Sequence, residues 1–490
     1  MATYARLVPG LPLLCLLTGL ALPPALGCGG GDGEGPRATV TRVDPGGITG
    51  ITGTNVTFEA TGTNGAFGYQ WNFGGGATPN TSTAAMPTVR LGAPGTYTGT
   101  VVPTNLQGPG EPFTFSIVVT EPGAPPSWLV QDADPAIRAV GSTDLAIVNG
   151  RLMVAGYDFD NEDLRIAVAQ VPFPQTGADW VAYTLDSAGG VGLHASVAEI
   201  DGRAMVAYYD FTNGNLKVAH ARDLSPNSAG DWRIQVVDSQ GDVGSHTSLV
   251  EYNGRPAITY QDNTSGALKI ARGRNQSPTQ DGDWFRLVVD STLTVDRNFA
   301  VGSRSDLAVV ADRLTVSYLD TSNDDLLVAR LLTPEPAGLG TWQIHTVYGG
   351  DVARQTSVVD LRGRAAISFY DREADDLKLA RATTHLPTAG TDWLILTVDD
   401  SPFVGEFSAM TVQDQRLAIS YYDRQNADLR VARALVTEPR ELTDWQRVAV
   451  DAGSDAGQLT SIVPLGTRLA VSYVEEDNNR LRVATSQASW

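Results

Sequence analysis

Residues 127–134 read SWLVQDAD, and similar tryptophan-led runs recur further on, as WVAYTLD (180–186), WRIQVVD (232–238) and WQRVAVD (445–451). The series is Trp128, Trp180, Trp232, Trp284, Trp342, Trp393 and Trp445, with gaps of 52, 52, 52, 58, 51 and 52 residues. The repeated unit is clearest in ASVAEIDGRAMVAYYDFTNGNLKVAHARDLSPNSAGDWRIQVVD (195–238). It offers four β-like runs: an SLVEY-like strand a, an RAMVAYY-like strand b, an LKVAHA-like strand c and the tryptophan-led strand d. Alternating and continuous apolar runs suit sheets covered on both faces by their neighbours. A period near 50 with four strands per unit is the signature of a β-propeller.

Seven arginines, Arg151, Arg203, Arg255, Arg313, Arg364, Arg416 and Arg468, open seven b strands. The seventh unit nevertheless stops at ATSQASW (484–490) without a complete strand d. SWLVQDAD lies in register with the array yet precedes its first unit, so it supplies the missing strand. The expected fold is all-β: a seven-bladed β-propeller over 127–490 whose N-terminal strand closes the last blade. Closure removes the sheet edges that would otherwise invite aggregation.

The region before the array divides further. After Arg6 comes LPLLCLLTGLALPPALG (11–27), too short and proline-broken for a membrane span, which reads as an export signal over 1–27. Its end, Ala25-Leu26-Gly27-Cys28, resembles a bacterial lipoprotein signal, which implies that Cys28 is lipidated and becomes the mature N-terminus. The only cysteines are Cys15 and Cys28, so the mature chain is expected to carry no disulfide despite export. Residues 28–36 are glycine-rich and have the composition of a tether, and 121–126 (EPGAPP) that of a stiff linker.

Between them, 37–120 is rich in Thr, Gly and Val, with alternating runs NVTFEAT (55–61) and FTFSIVV (113–119) that predict an Ig-like β-sandwich. The stretches YQWNFGGG (69–76) and PGTYTGTVVPTN (94–105) resemble the PKD domain, with Asn72 and Gly75 standing where Asp is common in that family. The resemblance implies a spacer or adhesive module, with Trp71 as its core aromatic.

Composition narrows the function. With 35 basic against 55 acidic residues the net charge is −20, which repels nucleic acid and anionic headgroups. No HExxH, GxSxG, phosphate-loop or catalytic-cysteine pattern is present. The recurrent Arg, Leu, Ala and Trp serve every blade alike and read as framework. The acids after strand b, Asp158, Asp210, Asp262, Asp320, Asp371, Asp423 and Glu475, read as turn caps accepting local backbone N–H groups.

Nine residues before each arginine the units differ: Ser142, His194, His246, Arg304, Gln355, Phe407 and Leu459. A position so variable is the expected ligand-binding set at the channel mouth. Two residues on, Asp144 and Asp306 interrupt a series of Ser and Ala. His194 and His246 on adjacent blades have no evident third ligand, so no metal and no cofactor are expected. The 58-residue gap places six extra residues in STLTVDRNFAVGSR (291–304), a loop on the same face.

SPNSAGDW (225–232) and SPTQDGDW (277–284) resemble the Asp-box of sialidase-type propellers, although Asp and Gly are displaced from that motif. The arginines open strand b, on the face opposite the expected site, so a sialidase arginine triad is not formed. The function expected is an exported, lipid-anchored protein at the outer membrane or cell surface, monomeric, with a non-catalytic propeller that binds polysaccharide or protein. The alternatives are a sialidase-like glycoside hydrolase and a pure scaffold.

Overall fold

The computed structural model describes residues 35–44, 48–121, 123–137, 140–291, 305–320, 323–337 and 339–490. Cys28, Arg304 and most of the long loop therefore lie outside the described residues, as does the export signal. Among the described residues no helix is long and apolar enough to cross a membrane.

The repeat folds as seven four-stranded antiparallel sheets arranged as a propeller. Blade 2 is typical, with strands a Val191–Ile200, b Arg203–Asp210, c Asn215–Ala221 and d Trp232–Asp238. The seventh sheet contains Ala456–Leu465, Arg468–Glu475 and Arg480–Ser486, and its fourth strand is Trp128–Asp134. Pairing runs from Trp128 opposite Ser486 to Asp134 opposite Leu481. The Ser127 carbonyl accepts the Gln487 N–H at 2.8 Å, and the Trp128 and Trp490 rings meet edge-on with centroids 6.1 Å apart. The ring closes as the register of SWLVQDAD requires.

Apolar side chains from both faces of each sheet pack into the gaps between blades. Leu164 and Ile166 of blade 1 share one buried cluster with Val206, Tyr208 and Trp232 of blade 2. The repeated tryptophan also reaches back to the preceding blade. Trp180 Nε1 donates to Gln131 at 3.1 Å, Trp232 Nε1 to the Tyr183 hydroxyl at 2.9 Å, and Trp393 Nε1 to His345 at 3.0 Å.

A polar staple accompanies the apolar contact. The aspartate ending strand d of one blade accepts from a buried tyrosine and a Lys or Arg of the next. Asp186 Oδ2 accepts Tyr208 at 2.7 Å and Lys217 at 2.5 Å, and Asp238 Oδ2 accepts Tyr260 and Lys269, both at 2.7 Å. Asp399 with Tyr421 and Arg430, and Asp451 with Tyr473 and Arg482, repeat the arrangement. Burial opposes ionisation of Asp186 and Asp238, but the lysine and tyrosine bonds bring both carboxyls below their ordinary pKa.

The acids after strand b cap their turns. Asp210 Oδ1 accepts the Asn213 N–H, Asp262 Oδ1 those of Thr264 and Ser265, and Asp371 Oδ1 those of Glu373 and Ala374. The c–d loops have a cap of their own, one residue before the tryptophan. Asp231 Oδ2 accepts the Asn227 and Ser228 N–H groups at 3.0 Å, and Asp179 does the same for Gln175 and Thr176. These backbone bonds hold both carboxyls below the usual range.

The preceding β-sandwich encloses Phe58, Trp71, Phe73 and Phe115, with Trp71 stacked 8° from coplanar on Phe73. Gly74 and Gly75 occupy positive φ after Trp71, where Asn72 Oδ1 accepts the Gly74 N–H at 2.9 Å.

Candidate functional site: the channel and its rim

Strand a of every blade borders the central axis, so its inner edge has no neighbouring strand to satisfy it. A belt of side chains does this instead, at the positions of Asp144, Ser196, Ser248, Asp306, Ser357, Ala409 and Ser461. Each oxygen accepts a backbone N–H from the following blade: Ser461 from Leu145 (3.2 Å), Asp144 from Val197 (2.8 Å), Ser196 from Leu249 (3.1 Å). Around the other half, Ser248 accepts from Leu307 (3.0 Å), Asp306 from Val358 (2.8 Å) and Ser357 from Met410 (3.2 Å).

The two aspartates in turn accept hydrogen bonds from the serine hydroxyls. Asp144 accepts the hydroxyls of Ser461 at 2.8 Å and Ser196 at 3.1 Å. Asp306 accepts those of Ser248 and Ser357, both at 3.0 Å. Four serine donors are matched by two carboxylates, and the seventh position is Ala409. This is why Asp interrupts the series at just two blades.

With the Leu145 and Leu307 N–H groups added, each carboxylate receives four hydrogen bonds. Burial nevertheless pushes the Asp306 carboxyl above its ordinary pKa, and the Asp144 charge adds to this. The belt residues line a cavity of about 250 Å³. Its carboxylates are structural: they join blades, and all their oxygens are engaged.

Four of the nine-before-arginine residues share a backbone feature rather than a chemistry. His194, His246, Phe407 and Leu459 have φ between 52° and 56°, in the left-handed region. Each sits in a β-bulge; in blade 2 Leu193 faces Tyr209 and Ser196 faces Ala207, leaving two residues opposite one. Two positions earlier Gly192, Gly244, Gly405 and Gly457 have φ of 109° to 112°. A Cβ there would stand 2.6 to 2.8 Å from backbone of the preceding blade's leucine, at Leu164, Leu216, Leu377 or Leu429. The recurring Val-Gly or Ala-Gly pair before these residues was the sequence signal of the bulge.

Ser142, His194, His246, Gln355, Phe407 and Leu459 are all buried, and Arg304 lies outside the described residues. The His194 and His246 rings stack with centroids 4.0 Å apart. Phe407 and Leu459 join an apolar cluster with Tyr422. Among the described residues no group of three or more His, Cys, Asp or Glu is disposed to hold a metal.

Exposed aromatics stand on the rim around these residues, where the b–c turns and d–a loops meet. Phe159 is 48% and Phe211 47% exposed, on the b–c turns of successive blades. Phe159 sits edge-on to Tyr157 at 5.0 Å, and Phe211 edge-on to Tyr209 at 6.2 Å. Gly190 lies beside Phe211 and the blade 1 turn: a Cβ there would be 3.3 Å from Glu162 and 3.4 Å from Phe211. On blade 6, Arg424 lies 4.9 Å over the exposed Phe403 ring and pairs with Glu406 at 3.3 Å. Sequence reasoning missed these aromatics, although Phe159 and Phe211 each follow a Tyr-Asp pair directly. The repeated arginines stand at the opposite face, at the a–b turns, where Arg255 pairs with Glu335 and Arg364 with Glu438.

No protein-family model matches the chain, and no curated protein matches it. Solved structures similar to it include the NanB sialidase from Streptococcus pneumoniae, at 10% identity and TM-score 0.40, covering 83% of this chain and 86% of that one. The WD40 domain of Toxoplasma gondii coronin gives 7% identity and TM-score 0.40, covering 74% and 87%. An alpha-L-arabinofuranosidase from Lactobacillus brevis gives 12% and 0.31, covering 60% and 90%. These likenesses concern fold alone.

Proposed function

We propose that the propeller is a non-catalytic carbohydrate-binding module of an exported protein held at a membrane surface by a lipid on Cys28. The 37–120 sandwich serves in this reading as a PKD-like spacer. The observation that carries the reading is the pair of exposed rings, Phe159 and Phe211, on adjacent blades among polar turn residues. Sugar rings present flat C–H faces edged by hydroxyls, which suit an aromatic face beside hydrogen-bonding groups. Asn161, Glu162 and Asn213 lie on the same two turns. The ligand would rest on this rim, above Ser142, His194, His246, Gln355, Phe407 and Leu459.

The belt supports the non-catalytic reading of the channel. A general acid or nucleophile needs an oxygen free to meet substrate, and both channel carboxylates are occupied by serine and backbone donors.

The test is retention of the chain from residue 29 on immobilised polysaccharides. Replacing both Phe159 and Phe211 with Ala should weaken retention at least about tenfold, since each aromatic contact is worth roughly 0.5–1.5 kcal/mol beyond its burial. Because both rings are only half-buried, the melting temperature should fall by less than for a fully buried phenylalanine pair. Retention unaffected by the double substitution would remove the rim from the site. Absence of retention on every glycan, with capture of a protein instead, would transfer the propeller to a protein-binding role.

A further inference from the structure

The two most exposed large apolar side chains among the described residues of the sandwich lie at one end. Leu106 is 89% and Phe67 69% exposed. They are neighbours in the fold, because the Phe67 N–H donates to the Thr104 carbonyl at 3.0 Å and Gly68 pairs with Thr104. The chain also enters the domain here. Asn105 Nδ2 donates to the Pro36 carbonyl at 3.0 Å and to that of Asn64 at 3.1 Å. Gly35 packs against Gln107.

The way out is at the opposite end. Strand Gly95–Asn105 runs the length of the domain, and Phe113–Thr120 returns beside it with Val119 opposite Gly95. Eleven residues at about 3.3 Å each separate the two ends by roughly 35 Å. The propeller therefore follows from the end remote from Phe67 and Leu106.

We infer that Phe67 and Leu106 form a tip that rests in the interfacial region of the bilayer when the chain is anchored; the inference depends on the proposed lipidation of Cys28. Seven residues, 29–35, separate the acylated cysteine from Pro36. The eight steps from Cys28 to Pro36, at no more than about 3.6 Å each, reach at most roughly 29 Å, so this end stays beside the membrane. A large and a branched apolar side chain held there gain by leaving water. The occupant is lipid acyl chain rather than anionic headgroup, because the net charge of −20 opposes an electrostatic attachment. The consequence is a defined standing: tip on the bilayer, sandwich upright, propeller at the end remote from the bilayer.

The test uses the mature chain purified from cells that export it and reconstituted in phosphatidylcholine vesicles. Acylated Cys28 has no free thiol, so Leu106→Cys, or Ala93→Cys at the far end, provides a single site for an environment-sensitive fluorophore. The inference expects a blue-shifted probe at 106, quenched severalfold more by nitroxide-labelled acyl chains than the probe at 93. Adding Phe67→Ser should reduce that quenching. An acylated chain with equal, water-like emission at both positions overturns the tip and leaves the anchor intact. A mass spectrum showing no acyl group on Cys28 overturns both.

Discussion

A chain lacking Ser127–Asp134 should lose its cooperative melt and elute as oligomers. These residues provide the fourth strand of blade 7, paired along Arg480–Ser486 from Trp128 to Asp134. Their removal bares that edge, and an unpaired edge strand templates association with other chains. It also removes the Arg480–Asp132 ion pair at 2.9 Å and the Arg165–Asp134 pair at 2.6 Å, the latter linking blade 7 to blade 1. At about 1 kcal/mol for each lost ladder hydrogen bond, the destabilisation should exceed roughly 5 kcal/mol. Circular dichroism melts with size-exclusion chromatography would show it, and the free peptide SWLVQDAD should partly restore the transition. A monomer melting at the parental temperature would mean that the ring closes without this strand.

The second large effect lies at the staples. Asp186→Ala should cost about 3–5 kcal/mol, because it leaves the fully buried Tyr208 hydroxyl without its acceptor and the buried Lys217 ammonium with only its longer pairing to Asp210 at 3.7 Å. The combined Asp186→Leu, Lys217→Met and Tyr208→Phe should recover much of the loss, as the groups are then removed together. The chain carries a natural version of part of that exchange, with the lysine retained. At the junction of blades 4 and 5, Tyr348 stands in the aspartate position and Phe369 in that of the tyrosine, with rings 5.2 Å apart. Lys378 turns instead to Asp376 at 3.0 Å and Thr397 at 2.9 Å.

The staples also set a pH dependence. The folded pKa of Asp186 and Asp238 is lowered, so their contribution is fully present above the unfolded value near 3.9 and is lost as pH falls through the folded value. The melting temperature should fall below about pH 4, and less steeply in the apolar triple variant. Denaturant midpoints across this range would measure both; equal stability of the single and triple variants would refute the staple.

Blade number and closure were legible because they depend on spacing, and each blade repeats the same packing problem. SWLVQDAD could be placed without any knowledge of contacts, since its tryptophan keeps the period of 52. The turn-capping acids were legible for a similar reason, because their partners lie two or three residues away.

The channel was less legible because its contacts join blades about 50 residues apart. Asp144 and Asp306 stood out against Ser and Ala, but that two carboxylates serve four serines appears only once the ring is closed. The variability at His194, His246, Phe407 and Leu459 suggested recognition, whereas their common left-handed backbone was hidden in the preceding glycines. The rim aromatics Phe159 and Phe211 escaped notice because the same position holds Asn263, Thr321, Arg372, Arg424 and Glu476 in the other units, so only two blades carry a ring there.

The most direct test of the central claim is to recover the glycans that the chain from residue 29 has retained and weigh them. The account predicts retention of unshortened chains, with no new reducing ends after prolonged incubation. Shortened products would contradict it, making the propeller a hydrolase and requiring at least one carboxylate beyond Asp144 and Asp306 to be free for chemistry.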